Sequence, residues 1–209
     1  MILHTFPQRS EAWFQIRLGK VTGTMLDEIS GRNHMKWAYK IAKERITGQQ
    51  IEKPDFKSED MERGVEREPM AVAEYTSSTG SIISHAGFIQ PDNMAEYFGM
   101  SPDGLIHDSF GNIIAVLEIK SPRPETHIGY IYENKIPDNY FTQVISPFIC
   151  SENIQYVDFV SYCPEIASMP IWIKRISRNS VEKEVNILRG NLIHFNSQVN
   201  KIINAVVGF

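Results

Sequence analysis

The stretch 113–120 reads IIAVLEIK, five aliphatic residues followed by two charged ones that bracket an isoleucine. A short, strongly apolar and β-branched run of this kind predicts a buried strand. Side chains alternate faces along a strand, so Glu118 and Lys120 share one face while Ile119 points into the core. A charge pair at the end of so apolar a strand needs a reason in a site rather than in packing. Just upstream, DSFGN at 108–112 is a turn signal for a hairpin, and Asp103 stands before it in SPDGL, at the end of a candidate strand 96–100. If the hairpin returns Glu118 to Asp103, two carboxylates converge and repel unless a hard cation sits between them. Mg²⁺ suits such a place, because it takes oxygen ligands and commonly uses one or two carboxylates plus water and substrate phosphate. Lys120 would then orient or help deprotonate an attacking water, or stabilise charge in the transition state. On these residues alone the alternative stays open: Asp103 is a turn residue, and Glu118 with Lys120 is a solvated strand face.

Around this core the pattern alternates. Residues 36–47 place Trp37, Tyr39, Ile41 and Ile46 among charges and predict a short amphipathic helix ended by Gly48. Residues 58–79 carry Met61, Val65, Val72 and Tyr75 at helical spacing, with Ser58 as N-cap and Gly80 as stop. Pro69 either kinks that helix or starts a second one. Stretches 82–88, 96–100 and 113–120 read as strands of one sheet, 139–150 as a helix kinked or ended by Pro147, and 155–163 and 170–176 as further strands. At the end Val181, Val185, Leu188, Leu192, Phe195, Val199, Ile202 and Val206 form one apolar seam. A long helix packed on its own domain is expected there, with a subunit contact as the alternative use of the seam. The whole predicts an α/β fold, a central mixed sheet flanked by helices.

With 209 residues, 42% of them hydrophobic and 11% aromatic, the chain is expected to form a single globular domain over 1–209. No aliphatic run approaches the roughly 18–20 residues of a membrane span, and the first ten residues lack the apolar core of an export signal. A soluble cytoplasmic protein is the expectation. Two cysteines, Cys150 and Cys163, are too few for a disulfide framework or for a four-cysteine zinc or iron–sulfur site. Net charge is −4, yet residues 17–53 hold eight Lys or Arg against four acids, which leaves the remainder at −8. A basic segment on an acidic body is either a polyanion-binding surface beside a carboxylate-rich pocket or a solvated helical face.

Pro102-Asp103, fourteen intervening residues and then Glu118-Ile119-Lys120 resemble the PD-(D/E)xK nuclease motif. The flanking SPDGL and LEIKSP resemble the lambda-phage exonuclease or YqaJ-type viral recombinase family in particular. Glu11-Ala12-Trp13 with Arg17-Leu18-Gly19 and Val21-Thr22 is similar to that family's amino-terminal signature. Residues 63–69 resemble its "G…E" helix, and Tyr140 with Gln143 its late "Y..Q" helix. The resemblance runs over roughly residues 11–150, and five motifs in order are far more specific than any one.

What the resemblance implies is a PD-(D/E)xK restriction-endonuclease-like core and a Mg²⁺-dependent deoxyribonuclease, with a two-metal site that Mn²⁺ can also fill. Asp103 and Glu118 would ligate metal with the Ile119 carbonyl, and Lys120 would act on the attacking water. Glu68 would serve a second metal or its waters, and Gln143 would hold the nucleophile or Lys120. Arg17 matches the arginine that grips a 5′-phosphate, a task suited to a planar, permanently charged fork. Thr24 stands where the family usually has serine, Ser101 matches a phosphate-contacting serine, and Arg32 lies near a strand-separating side chain. Ile145 departs from the family pattern, which has a second glutamine there. The implied activity is 5′→3′ degradation of one strand of duplex DNA from a 5′-phosphorylated end, leaving a 3′ tail for phage-type recombination. A homotrimeric ring, a single-strand annealing partner and a phage or prophage gene in a bacterial host belong to the same implication. The rivals are an endonuclease of the same fold and a non-catalytic DNA-binding assembly protein.

Overall fold

The apolar run 113–120 is the middle strand of a five-stranded sheet, and the elements around it follow from how its two faces are covered. The computed structural model describes residues 1–50 and 59–208. In chain order the elements are β1 (Ile2–His4), α1 (Glu11–Arg17), β2 (Val21–Thr22), α2 (Leu26–Ser30), α3 (His34–Thr47), α4 (Glu59–Thr79), β3 (Ile82–Ser84) and β4 (Phe88–Gln90). There follow β5 (Phe98–Gly99), β6 (Gly104–His107), β7 (Ile113–Lys120), α5 (Pro124–Glu133), α6 (Asp138–Ile145), α7 (Pro147–Cys150), β8 (Tyr156–Tyr162), β9 (Ile171–Ser177) and α8 (Glu182–Val207). The main sheet runs β3-β6-β7-β8-β9. Only the β7–β8 pairing is parallel; the other three are antiparallel, so the sheet is mixed as expected.

Alternation along β7 sorts its side chains between two cores. Val116 joins Leu105, Val157 and Phe159 in the larger one, which the buried seam of α8 and residues of α2, α3, α6 and α7 complete. Ala115, Leu117 and Ile119 face the smaller one, closed by Ala71 and Tyr75 of α4. Glu118 and Lys120 therefore share the side of Val116, facing α6. The α8 seam packs within the domain from Val181 to Val199, whereas Val206 is exposed.

The sheet assignment differs from expectation in its outer parts. Stretch 82–88 is split between β3, in the main sheet, and β4, which pairs antiparallel with β1. The break falls at Gly87, where a Cβ would stand 2.1 Å from the Phe6 carbonyl oxygen, so the chain must be bare to pass. Stretch 96–100 stays out of the main sheet: it contributes β5, paired in parallel with β2, and Met100, which bridges Ile89 of β4. Asp103 accordingly precedes β6 instead of closing a strand of the main sheet. The 108–112 turn does close a hairpin, but onto β6 at 104–107 and not onto 96–100; Asp108 accepts from the backbone N–H groups of Phe110 and Asn112.

The helices keep their places and adjust their faces. α3 ends at Gly48, whose φ of 67° is the left-handed cap glycine favours. Its buried side is Ala38, Ile41 and Ala42, with Tyr39 and Ile46 exposed. α4 is one helix through Pro69. The carbonyl that the proline leaves without a donor belongs to Val65, which is exposed, so water can satisfy it. Met61 is exposed too, and burial starts at Ala71; Ser58 lies outside the described residues. Pro147 separates α6 from α7.

The smaller core holds one buried charge. The Asp158 side chain has no exposed surface, accepts from Arg175 Nε and Nη2 at 2.8 and 2.7 Å, and accepts from the Tyr75 hydroxyl at 2.6 Å. Burial, then the hydrogen bond to Asp158, hold the Tyr75 phenol well above its ordinary range. Asp158→Ala is expected to cost about 3 kcal/mol in urea unfolding, the low end for breaking a buried pair, because Arg175 is half-exposed and can turn to water. Arg175→Ala, which strands the buried carboxylate, should cost more; the reverse order would contradict the network.

Candidate active site

The hairpin delivers the first contacts. Asp103 N–H donates to the Leu117 carbonyl at 3.2 Å, and Asp103 Oδ2 accepts from the Ile119 N–H at 2.6 Å. This places the Asp103 carboxylate beside the Glu118-Ile119 peptide across the β6–β7 ladder. Glu118 is 2% exposed, and its Oε1 accepts from both Lys120 Nζ and, at 2.6 Å, Gln143 Nε2. Gln143 thus binds Glu118 and not Lys120. The Lys120 ammonium lies 5.0 Å from the centre of the Tyr140 ring, one turn before Gln143 on the same face of α6.

The electrostatics are those of crowded carboxylates. Burial first, then repulsion from Glu118, hold Asp103 well above the carboxylate range; Lys120 opposes this and Glu68 adds to it. Burial also raises Glu68, against the attraction of Arg9 and His85 and with the repulsion of Glu118. Burial works against the Lys120 charge, but Glu118 and Asp103 outweigh it and hold the ammonium above the lysine range. Among the described residues no three His, Cys, Asp or Glu side chains are grouped as a closed metal cage. The donor set nevertheless suits a hard cation. Asp103 spends Oδ2 on Ile119 and Glu118 spends Oε1 on Lys120 and Gln143, and the other oxygen of each accepts no hydrogen bond from a described residue. Two carboxylate oxygens without donors, brought together by one hairpin, are the hard ligands that Mg²⁺ takes.

A second cluster adjoins the first. The parallel pairing of β2 with β5 sets the residues after Thr22 beside those after Gly99. Here Trp13 Nε1 donates to Ser101 Oγ at 2.7 Å, Arg17 Nη1 donates to the same oxygen at 3.3 Å, and the Arg17 guanidinium stacks 4.0 Å over the Trp13 ring. Burial pulls Arg17 down to about 10, against the attraction of Glu44, so it remains a cation at neutral pH. Thr24 is exposed in the following turn, its hydroxyl 3.3 Å from that of Thr22. Gly23 lies between Gln143 and the residue before Ser101: a Cβ there would stand 3.0 Å from Ser146 Oγ, 3.6 Å from Met100 Cβ and 3.8 Å from Gln143 Cγ. Arg32 is exposed in the turn after α2, with no hydrogen bond or ion pair to the others.

The sequence reading assigned no role to Trp13, Tyr140, Arg9 or His85. Tyr140 is legible in retrospect from its spacing of three from Gln143. For Trp13 the available signal is its spacing of four from Arg17 on α1. Arg9 and His85 come within electrostatic range of Glu68 only in the folded chain, which no local pattern encodes.

A family model for the YqaJ-like viral recombinase domain matches residues 12–153. Among solved structures, the chain is similar to an alkaline exonuclease, LHK-Exo, from Laribacter hongkongensis, at 29% identity over 95% of this chain and 99% of that one, with a TM-score of 0.78. A complex of LHK-Exo with dAMP matches equally. A phage-related exonuclease from Haemophilus somnus 129PT shares the fold at 13% identity, covering 90% of this chain and 95% of its own, with a TM-score of 0.57. No curated protein shows a significant match.

Ionising Asp103 in the metal-free protein costs the folded state more than the unfolded chain. In EDTA, its contribution to stability is therefore expected to fall as pH rises from the ordinary aspartate value of 3.8 through the raised one. Asp103→Asn keeps an acceptor for Ile119 and should melt above the parent at about pH 8, the difference closing toward about pH 3. A parent that melts at or above the variant at the higher pH would contradict the crowding.

Proposed function

The chain belongs to the YqaJ-like viral recombinase domain family, and we propose on that premise that it is a Mg²⁺-dependent deoxyribonuclease that degrades duplex DNA 5′→3′ from a 5′-phosphorylated end. The observation that carries this reading is adjacency: Ser101, which accepts from Arg17, stands two residues before Asp103, and Gly23 packs on Gln143 of the Glu118 and Lys120 network and on Met100, the residue before Ser101. A terminal phosphate held by the second cluster leaves the next phosphodiester near the first. That LHK-Exo has been solved with dAMP supports a deoxynucleotide ligand for a fold of this kind.

Asp103 and Glu118, through their open oxygens, with the Ile119 carbonyl, would hold one ion, and Glu68 would serve a second or its waters; Mn²⁺ can substitute. Such ions supply Lewis-acid polarisation of a phosphoryl oxygen and a nucleophile at neutral pH. The residues of the chain do the positioning. Lys120, held as a cation between two carboxylates, orients the attacking water and offsets charge on the phosphoryl group. Gln143 and Lys120 together fix one Glu118 oxygen and keep the other turned to the site. Arg17 meets the 5′-phosphate with a guanidinium already enclosed and stacked, so little freedom is lost on binding. Ser101 accepts from Trp13 and Arg17, which leaves its own proton to donate to the phosphate, and Thr24 adds a hydroxyl. Arg32, exposed beyond this pocket, is the side chain assigned to parting the strands.

The reading extends to a single nuclease domain, a homotrimeric ring around the duplex and an annealing protein that receives the 3′ tail. Exposed Ile128 and Tyr132, one turn apart on α5, offer apolar surface for such contacts. No helix among the described residues is long and apolar enough to cross a membrane, and the proposed setting is the cytoplasm of a bacterial host.

Linear duplex DNA labelled at either end and bearing a 5′-phosphate or a 5′-hydroxyl tests this directly. In Mg²⁺ the 5′-phosphorylated strand should be lost while closed circles survive, and EDTA should stop the reaction. Lys120→Ala should lower turnover by about 10²–10³-fold with duplex binding retained. Arg17→Ala should abolish the preference for 5′-phosphate, and Trp13→Phe, which keeps an aromatic face but removes the N–H, should weaken it. Cutting of closed circles would favour the endonuclease, and binding without turnover the assembly protein.

A further inference from the structure

The turn that leads into α1 holds a residue its own geometry disfavours. Ser10 N–H and Ser10 Oγ both donate to the Pro7 carbonyl, at 3.3 and 2.7 Å, closing a four-residue turn over Pro7, Gln8, Arg9 and Ser10. Arg9 occupies the third position with φ of 66°, the left-handed conformation that a type II turn reserves for glycine or asparagine. A long side chain there strains the backbone, and nothing local compensates: Arg9 is exposed and makes no hydrogen bond or ion pair with a described residue. The turn is not free to relax, because Gln8 Nε2 donates to the Pro102 carbonyl at 2.8 Å. That bond fixes the turn against the residue before Asp103. The guanidinium sits within electrostatic reach of Glu68 on α4, in the turn just ahead of the helix that carries Trp13 and Arg17. Strained backbone held in place by its surroundings concentrates at functional sites.

We infer that Arg9 is a substrate-binding residue, a backbone-phosphate contact for the DNA strand lying over Glu68 and Asp103, retained at the expense of turn stability. This rests on the nuclease reading above. A guanidinium at the mouth of a carboxylate-rich site offsets the repulsion that a polyanion meets there, and its flexible stem lets it follow the strand.

The test compares the parent with Arg9→Gly, Arg9→Gln and Arg9→Lys in two measurements: thermal melting, and binding and digestion of 5′-phosphorylated linear duplex over a salt series. Arg9→Gly should melt at or above the parent, because glycine accepts the left-handed turn. Both Arg9→Gly and Arg9→Gln should bind duplex about tenfold more weakly and flatten the slope of log affinity against log salt by about 0.9, one phosphate contact. Arg9→Lys should keep the slope. Unchanged affinity and slope in Arg9→Gly and Arg9→Gln, with an active parent, would overturn the inference while leaving the nuclease reading intact. A parent that neither binds nor digests duplex would instead overturn the nuclease reading itself.

Discussion

Two carboxylates, Asp103 and Glu118, are brought together by a hairpin whose strands have no latitude to separate them. The β6–β7 ladder sets the register, and the Asp103 contacts with Leu117 and Ile119 lock it. Their repulsion is only partly relieved by Lys120 and by the Gln143 amide. The remaining elements can be read as means of tolerating this local cost. Apolar residues of β7 bury on both sides of the sheet, and α6 brings Gln143 and Tyr140 down onto Glu118 and Lys120. Burial that raises Asp103 also strengthens every charge interaction at the site.

The same packing explains why the Arg17 cluster lies where it does. β2 and β5 are only two residues each, too short to add a useful strand to the main sheet. Their parallel pairing instead brings the end of α1, the turn after β2 and the chain leading to Asp103 to one place. Gly23 allows that turn to press on Ser146 and Gln143. The Arg17 cluster and the carboxylate site are thus coupled through main chain, and rigid backbone holds such distances better than mobile side chains do.

Much of the site was legible because its chemistry is written in short-range pattern. The apolar run before Glu118 and Lys120 demands a buried strand, and DSFGN demands a hairpin, so convergence on Asp103 follows. The strands β8 and β9 and the seam of α8 were legible for the same reason, though not the pairing of the two strands. What pattern alone missed depends on tertiary contact. The break at Gly87 reflects the closeness of Phe6, and no local signal encodes it. α5 contains Gly129 and several β-branched or aromatic residues, weak helix formers. It is anchored by buried His127, whose ring meets Ser161 Oγ at 2.7 Å and the Met169 carbonyl at 2.9 Å. Arg9 departs from local preference in its turn, and a departure of that kind becomes visible only once the backbone is known.

The central claim is that Asp103 and Glu118 each keep one oxygen open for a divalent cation. Crystals of the protein soaked in Mn²⁺, with anomalous diffraction measured to locate the ion, test it most directly. The account predicts an anomalous peak beside Asp103 and Glu118, lost in Asp103→Asn crystals. Strong Mn²⁺ peaks elsewhere with none beside these carboxylates, or a peak unaffected by Asp103→Asn, would contradict it.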